Sequence, residues 1–250
     1  MDILQKDLHQ LEKWQEEWEM SFNPAKCSVM KLSTKKEAPD RSYNFCGQPL
    51  QEVDSHPYLG VEIDSKMSWK AQYQKLTSKA NKVLGFLKRN LWFCPREMKE
   101  TAYKTLVRPI LEYAGCSWDP YKKKDIVAIE AVQRKAARFC MNDYKQLSSV
   151  TEMTRVLGWE ALQDRRKDAR LQLMYRIMNG EVGIRAEDYV QQGGTAGLKT
   201  RGNSRKLKRE LIRKDVHKFS YFHRTTTDWN DLDETTVTAT GGEMFKNKLH

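Results

Sequence analysis

The sequence predicts an α+β chain: a small antiparallel sheet or hairpin with one amphipathic helix at the N-terminus, then a mostly α-helical bundle, then an irregular, basic C-terminal region. Three observations predict it. Apolar residues recur at helical spacing over residues 2–20, and short apolar runs punctuated by Gly and Pro follow as far as residue 63. From Trp69 the period becomes that of a helix and stays there. The charge changes at the same place. Residues 1–69 hold 8 Lys and Arg against 12 Asp and Glu, residues 70–145 hold 17 against 7, and residues 146–250 hold 19 against 14.

In the first part, Leu4, Leu8, Leu11, Trp14 and Trp18 form one stripe with Gln, Glu and Lys opposite, which predicts an amphipathic helix stopped by Asn23-Pro24. Cys27–Leu32 reads as a strand, Ser33–Arg41 as a polar loop, and Tyr43–Val53 as a hairpin turning at Gly47-Gln48. Tyr58–Ile63, introduced by Pro57, reads as a further strand.

In the middle, Ala80, Leu84, Leu87 and Leu91 mark one helix. A second starts near Pro95 and runs through Met98, Ala102, Leu106 and Ile110, with Pro109 placed to kink or end it. Ile126, Ile129, Val132, Ala136 and Phe139 mark a third after the break at Asp119-Pro120. Ser149–Leu157 predicts a short helix ended by Gly158, and Trp159–Met178 a longer one with Leu162, Ala169, Leu173 and Ile177 inward and Asn179-Gly180 as its cap. Beyond that, Gln191–Gly197 is Gly-rich, Lys199–Lys214 carries eight cations, and Met244–Leu249 reads as a last short helix. The boundaries expected are 1–67, 68–145, 146–190 and 191–250.

Composition narrows the function. A net charge of +11 with a pI near 9.3 points to a polyanionic partner or a solvated basic surface. The five cysteines, Cys27, Cys46, Cys94, Cys116 and Cys140, form no CxxC pair and no Cys/His cluster at zinc spacing. They read as free thiols of an intracellular protein, nuclear or cytoplasmic. No apolar run approaches the roughly 20 residues of a membrane span, and the N-terminus is not signal-like, so no membrane partner is expected.

Several motifs in order carry a family resemblance. Trp14, Trp18, Met20, Phe22-Asn23-Pro24 and Lys26-Cys27 come first, then Tyr58-Leu59-Gly60-Val61. Lys79–Leu87, Tyr103–Pro109 and Leu111–Ala114 follow, then Gln133–Phe139, Leu157-Gly158-Trp159, Arg224-Thr225 and Trp229-Asn230. The chain resembles the C-terminal part of a reverse transcriptase from a non-LTR (LINE-type, jockey-like) retrotransposon: the end of the palm, the thumb and the region downstream.

The resemblance implies an RNA-directed DNA polymerase whose catalytic aspartates lie upstream of Met1. Such polymerisation needs two magnesium ions held by palm carboxylates. No Asp-Asp pair occurs in this chain, so no cofactor is expected here, and Mg2+ would belong only to a complete polymerase. The chain alone is expected not to polymerise DNA. Lys26 resembles a leaving-group acid, and a strand-edge lysine is the plain alternative. Tyr58, Leu59 and Gly60 resemble a primer grip, though a buried strand with a turn glycine fits the same pattern. Lys75, Lys79, Lys82, Arg89, Lys104 and Arg108 would line thumb helices and meet the phosphates of an RNA–DNA hybrid or primer–template duplex, against the alternative of a solvated face.

The basic run Lys199–Lys214, near Phe219, Tyr221 and Phe222, fits single-stranded nucleic acid, a tail or a localisation signal equally. His217 and His223 have no Cys nearby and are not expected to hold a metal. Two other readings stand beside the duplex-binding one. The chain could be part of a complete polymerase with its palm and fingers encoded upstream, or a host-adopted helical protein-interaction module.

Overall fold

The computed structural model describes residues 3–32, 42–193 and 203–249. It divides into two compact units, Met1–Gln72 and Tyr73–His250. Its class is α+β, with three two-stranded ladders in the first unit and helices predominating in the second. The expected loop Ser33–Arg41 lies outside the described residues, as do residues 194–197 of the Gly-rich stretch and Lys199 and Arg201 of the basic run.

The first unit begins with α1 (Ile3–Glu17), whose apolar stripe is real but poorly covered: none of its residues is buried. It is tied to the sheet region by polar contacts. The Gln5 side chain exchanges hydrogen bonds with the backbone of Asn44, and Glu12 accepts from the Cys46 amide at 2.5 Å. Trp14, Phe22 and Phe45 make the aromatic contact beneath.

The strands are β1 (Ser28–Val29), β2 (Asn44–Phe45), β3 (Gln48–Pro49), β4 (Gln51–Glu52), β5 (Ser55–Tyr58) and β6 (Val61–Asp64). β2 and β3 are antiparallel, as are β5 and β6, whereas β1 and β4 run parallel. Two expectations change. The first hairpin turns at Cys46-Gly47, one residue earlier than the glycine alone suggests. Tyr58–Ile63 is not one strand but a second hairpin, with Leu59-Gly60 as its two-residue turn. Both turns place both central residues at positive φ, the backbone of a type I′ turn: Cys46 49° and Gly47 74°, Leu59 46° and Gly60 83°.

The second unit is better covered. Helix α2 (Lys70–Asn90) buries Tyr73, Leu76, Ala80, Leu84 and Leu87. Next comes α3 (Arg96–Ala102), a π-helical turn (Tyr103–Val107), and α4 (Arg108–Glu112). Pro109 does not end this run, which continues past it to Glu112. Without an amide hydrogen, and with its ring against the preceding turn, it is accommodated by one wider turn just upstream. Met98 and Leu106, expected inward, are 54% and 52% exposed; the buried face runs one residue later, through Lys99, Tyr103, Val107 and Leu111.

The short α5 (Gly115–Trp118) leads to α6 (Lys123–Met141) and then α7 (Val150–Val156), capped by Ser149 Oγ, which accepts from the Glu152 amide. Helix α8 (Leu162–Met178) is the central strut. Leu162 and Ile177 are inward as expected, but Ala169 is exposed, and the buried face includes Arg166 and Arg170. Their carboxylate partners explain it. Asp119 accepts from Arg166 Nε at 2.8 Å and Arg170 Nε at 3.0 Å, and Asp228 accepts from Arg170 Nη2 at 2.9 Å.

Residues 203–214 of the C-terminal region form no helix or strand, as expected, but the chain is helical beyond them. Helices α9 (Asp215–Lys218), α10 (Tyr221–Asn230), α11 (Glu234–Val237) and α12 (Gly242–Lys248) form there, with α10 and α12 against α8. Leu207, Trp229, Val237 and Phe245 enclose the α8 residues Leu171, Met174 and Tyr175. The Tyr175 hydroxyl donates to Ala239 O at 2.7 Å and accepts from the Gly241 amide at 2.9 Å, which fixes the last loop. All five cysteines are free thiols.

The imbalance in burial predicts an imbalance in local stability. In the first unit the buried apolar side chains among the described residues are Tyr43, Phe45 and Val61, while those of the second include Trp118, Phe139, Leu171 and Trp229. Amide exchange is expected to be faster through residues 3–32 and 42–64 than in α2, α6 and α8. Equal protection in both units would contradict it.

Candidate nucleic-acid interface

The candidate interface is built on α2. Steps of four, three, four and three residues carry Lys75, Lys79, Lys82, Phe86 and Arg89 along one helix face, and all five are exposed. The opposite face is the core stripe from Tyr73 to Leu87. At about 1.5 Å per residue the outward stripe is about 21 Å long, the reach of roughly six phosphates along one strand.

Its chemistry is unusual for a solvated face. Helix α2 contains six cations and no Asp or Glu, so none of them has an acidic partner along its own helix. Like charges three and four residues apart repel, each pair destabilising a helix by a few tenths of a kcal/mol. Lys79, Lys82 and Arg89 form no ion pair with any described residue. Nearby, α6 adds Lys135, whose ammonium donates to Asn81 Oδ1 at 3.3 Å. Burial holds Lys88 below its ordinary value, and repulsion from Lys135 adds to this.

Lys104 and Arg108 are a different case. Lys104 lies 3.4 Å from Glu100 and Arg108 lies 3.7 Å from Glu112, each one turn away, and both are half-buried. They are committed to local carboxylates rather than presented with the α2 row. Phe86, 56% exposed in the middle of that row, is the residue that charge counting misses. Its position in phase with the lysines is legible in the sequence.

Four predicted positions, Lys26 and the three of the hairpin Tyr58–Gly60, belong to the first unit. Lys26 ends a 3-10 turn (Pro24–Lys26) that Asn23 caps by accepting from the Ala25 amide, and it is exposed. Tyr58, Leu59 and Gly60 form the exposed tip of the β5–β6 hairpin, with Tyr58 62% and Leu59 74% exposed, so the buried-strand alternative does not describe them. Leu59 holds a left-handed backbone that costs an L-residue roughly 1–2 kcal/mol, while its exposed side chain returns little. Replacing it by Asn, which suits the first position of this turn, is expected to stabilise the hairpin by about 1 kcal/mol, read as a higher urea midpoint. A lower midpoint would mean that the leucine side chain is held by contacts worth more than the strain.

In the basic C-terminal run, Lys208 Nζ donates to Gln191 Oε1 at 3.2 Å, and Arg209 Nη2 lies 3.3 Å from Asp231. His217 and His223 touch through their Nε2 atoms at 2.6 Å, a spacing for one shared proton. Among the described residues no group of three or more His, Cys, Asp and Glu is placed to hold a metal. No described helix is long and apolar enough to cross a membrane. Comparison with protein-family models, with curated proteins and with solved structures gave no significant match.

Proposed function

We propose that this chain holds a primer–template duplex, an RNA–DNA hybrid in the first instance, against the cationic face of α2, as the thumb of a LINE-type reverse transcriptase would, and that it does not polymerise by itself. The observation that carries the reading is a helix of six cations and no carboxylate, with four of the cations in phase on an exposed face. Phosphates would relieve that repulsion and release their counterions. The exposed hairpin tip at Tyr58–Gly60 is the part the same reading assigns to the primer terminus.

Titration of a labelled RNA–DNA hybrid, followed by anisotropy between about 50 and 200 mM salt, tests it. Four phosphate contacts give a slope of log affinity against log salt of about −3 to −4. A slope shallower than about −1, or no binding at low salt, removes the reading. Extension of a DNA primer on an RNA template with magnesium is expected to be absent, and any product would overturn the second half.

One observation favours a second reading, that the chain works beside a further protein segment such as the rest of a palm. The apolar face of α1 is open, with Ile3 75% and Leu11 44% exposed, and Trp18 just past its end is 62% exposed. Concentration-dependent association abolished by Trp18→Glu would support it.

A further inference from the structure

We propose that the second unit carries a nucleotide-binding cavity between the α2–α3 loop and the C-terminal end of α6, separate from the duplex-holding stripe. The cavity has a volume of about 570 Å³ and is walled by Trp92, Phe93, Arg96, Lys99 and Asn142 among others, with no carboxylate in its lining.

Lys99 is the observation that asks for a ligand. It is 4% exposed, yet its ammonium makes no hydrogen bond or ion pair with a described residue and rests 5.3 Å from the centre of the Phe139 ring. The side chain keeps a little solvent contact, yet no described residue accepts from the three donors of its ammonium. The ring face supplies part of what is lost and none of the hydrogen bonds. Arg96 is spoken for, since Nε donates to Glu100 at 2.7 Å and Nη2 to Val156 O at 3.1 Å. The anionic group therefore belongs to Lys99.

The rest of the wall names the ligand class. Trp92 and Phe93 are 69% and 72% exposed and lie edge to face with ring centres 5.9 Å apart, two platforms without a protein ring to cover them. Base-on-aromatic stacking needs such a surface. Asn142, exposed at the left-handed cap of α6, keeps a side-chain amide without a partner among the described residues, and one amide offers both a donor and an acceptor to a base edge. An acidic peptide would satisfy Lys99 and leave the aromatic pair unused. A nucleotide uses all three: base on Trp92 and Phe93, base edge at Asn142, phosphate at Lys99.

Calorimetric titration of the full chain with deoxyadenosine monophosphate, a short single-stranded oligo(dA) and inorganic phosphate tests this. One nucleotide per chain is expected, with phosphate alone much weaker, and Trp92→Ala weakening it roughly 5- to 150-fold. Lys99→Met should weaken it comparably. If that variant fails to fold, Trp92→Ala and Phe93→Ala carry the test, since both side chains are largely exposed. Tighter binding of oligo(dA) than of the monophosphate assigns the cavity to a strand, and equal affinity assigns it to a free nucleotide. The combined Lys79→Glu, Lys82→Glu and Arg89→Glu variant should bind the monophosphate normally, even where it loses the hybrid. The proposal falls if the monophosphate does not bind, if phosphate alone binds as well, if both cavity variants leave its affinity unchanged, or if the α2 variant abolishes it.

Discussion

Asp119→Ala is expected to cost the second unit about 3–5 kcal/mol, lowering its unfolding midpoint by roughly 6–20 °C. The side chain of Asp119 is only 5% exposed and has three arginines around it. Arg166 Nε and Arg170 Nε donate to its two oxygens, and Arg224 Nη1 sits 3.2 Å from Oδ2 while donating to the Asp119 and Pro120 carbonyls at 2.9 and 3.1 Å. Those arginines come from α8 and α10, so one carboxylate joins the helical middle to the C-terminal helices. Remove it and Asp228 still pairs with Arg170 at 2.9 Å, while Arg166 and Arg224 lose the carboxylate they pair with. Both Nη atoms of Arg166 already lack a protein acceptor, although its guanidinium rests 6.0 Å from the Trp118 ring, so the cluster has no spare acceptor to redistribute.

The cost reflects stranded charge rather than the worth of the pair, since well-packed apolar replacements of a whole buried cluster can be neutral. Lys167→Ala is the control. Its side chain is 48% exposed and 3.9 Å from Asp228, and its loss should cost well under about 1 kcal/mol. Thermal unfolding of the two variants decides. An Asp119→Ala change below about 1 kcal/mol would mean that water or a shifted backbone takes the place of the carboxylate.

That cluster also marks the limit of what periodicity can see. Helices α2, α6 and α7 are legible because their apolar residues repeat in phase and their ends carry ordinary signals, such as Ser149 before α7 and Gly158 after it. Helix α8 defeats the rule that charge faces water, since the partners of Arg166 and Arg170 lie 47 to 58 residues away. The C-terminal region fails for a related reason. Leu207, Trp229, Val237 and Phe245 are too far apart to form a stripe, and only α8 makes them one core. Leu59-Gly60 hides as a turn because leucine is a poor residue for positive φ.

The candidate site divides along the same line. The α2 cations are visible as a row because helical phase and charge are both local properties. The commitments of Lys104 and Arg108 to Glu100 and Glu112 were equally local but easily passed over, being one turn away. Lys99 was invisible, because a lysine on an amphipathic helix is expected at the surface and here is 4% exposed.

Reversing Lys79, Lys82 and Arg89 together to Glu is expected to lower affinity for an RNA–DNA hybrid by at least roughly a hundredfold near 0.1 M salt, and to flatten the salt slope by about 3. Each phosphate contact contributes close to one to that slope, and reversal adds repulsion to the lost attraction. Stability should move little. The three are exposed and have no acidic partner along α2; a glutamate at 79 would lie one turn from Lys75, while glutamates at 79 and 82 would keep the like-charge repulsion of the lysines they replace. That separation makes the experiment decisive, because a weaker binder that is equally or more stable cannot owe its weakness to unfolding.

Reversal of Lys104 and Arg108 provides the contrast. Because each has a carboxylate one turn away, glutamates there would oppose Glu100 and Glu112 and cost stability. Their effect on the salt slope should be smaller than that of the α2 set. Phe86→Ala should reduce hybrid affinity only modestly and leave the slope unchanged, since a ring releases no counterions. If the triple reversal left affinity and slope where they were, the cationic face of α2 would be a solvated surface, and duplex holding would have to be sought on another face of the unit.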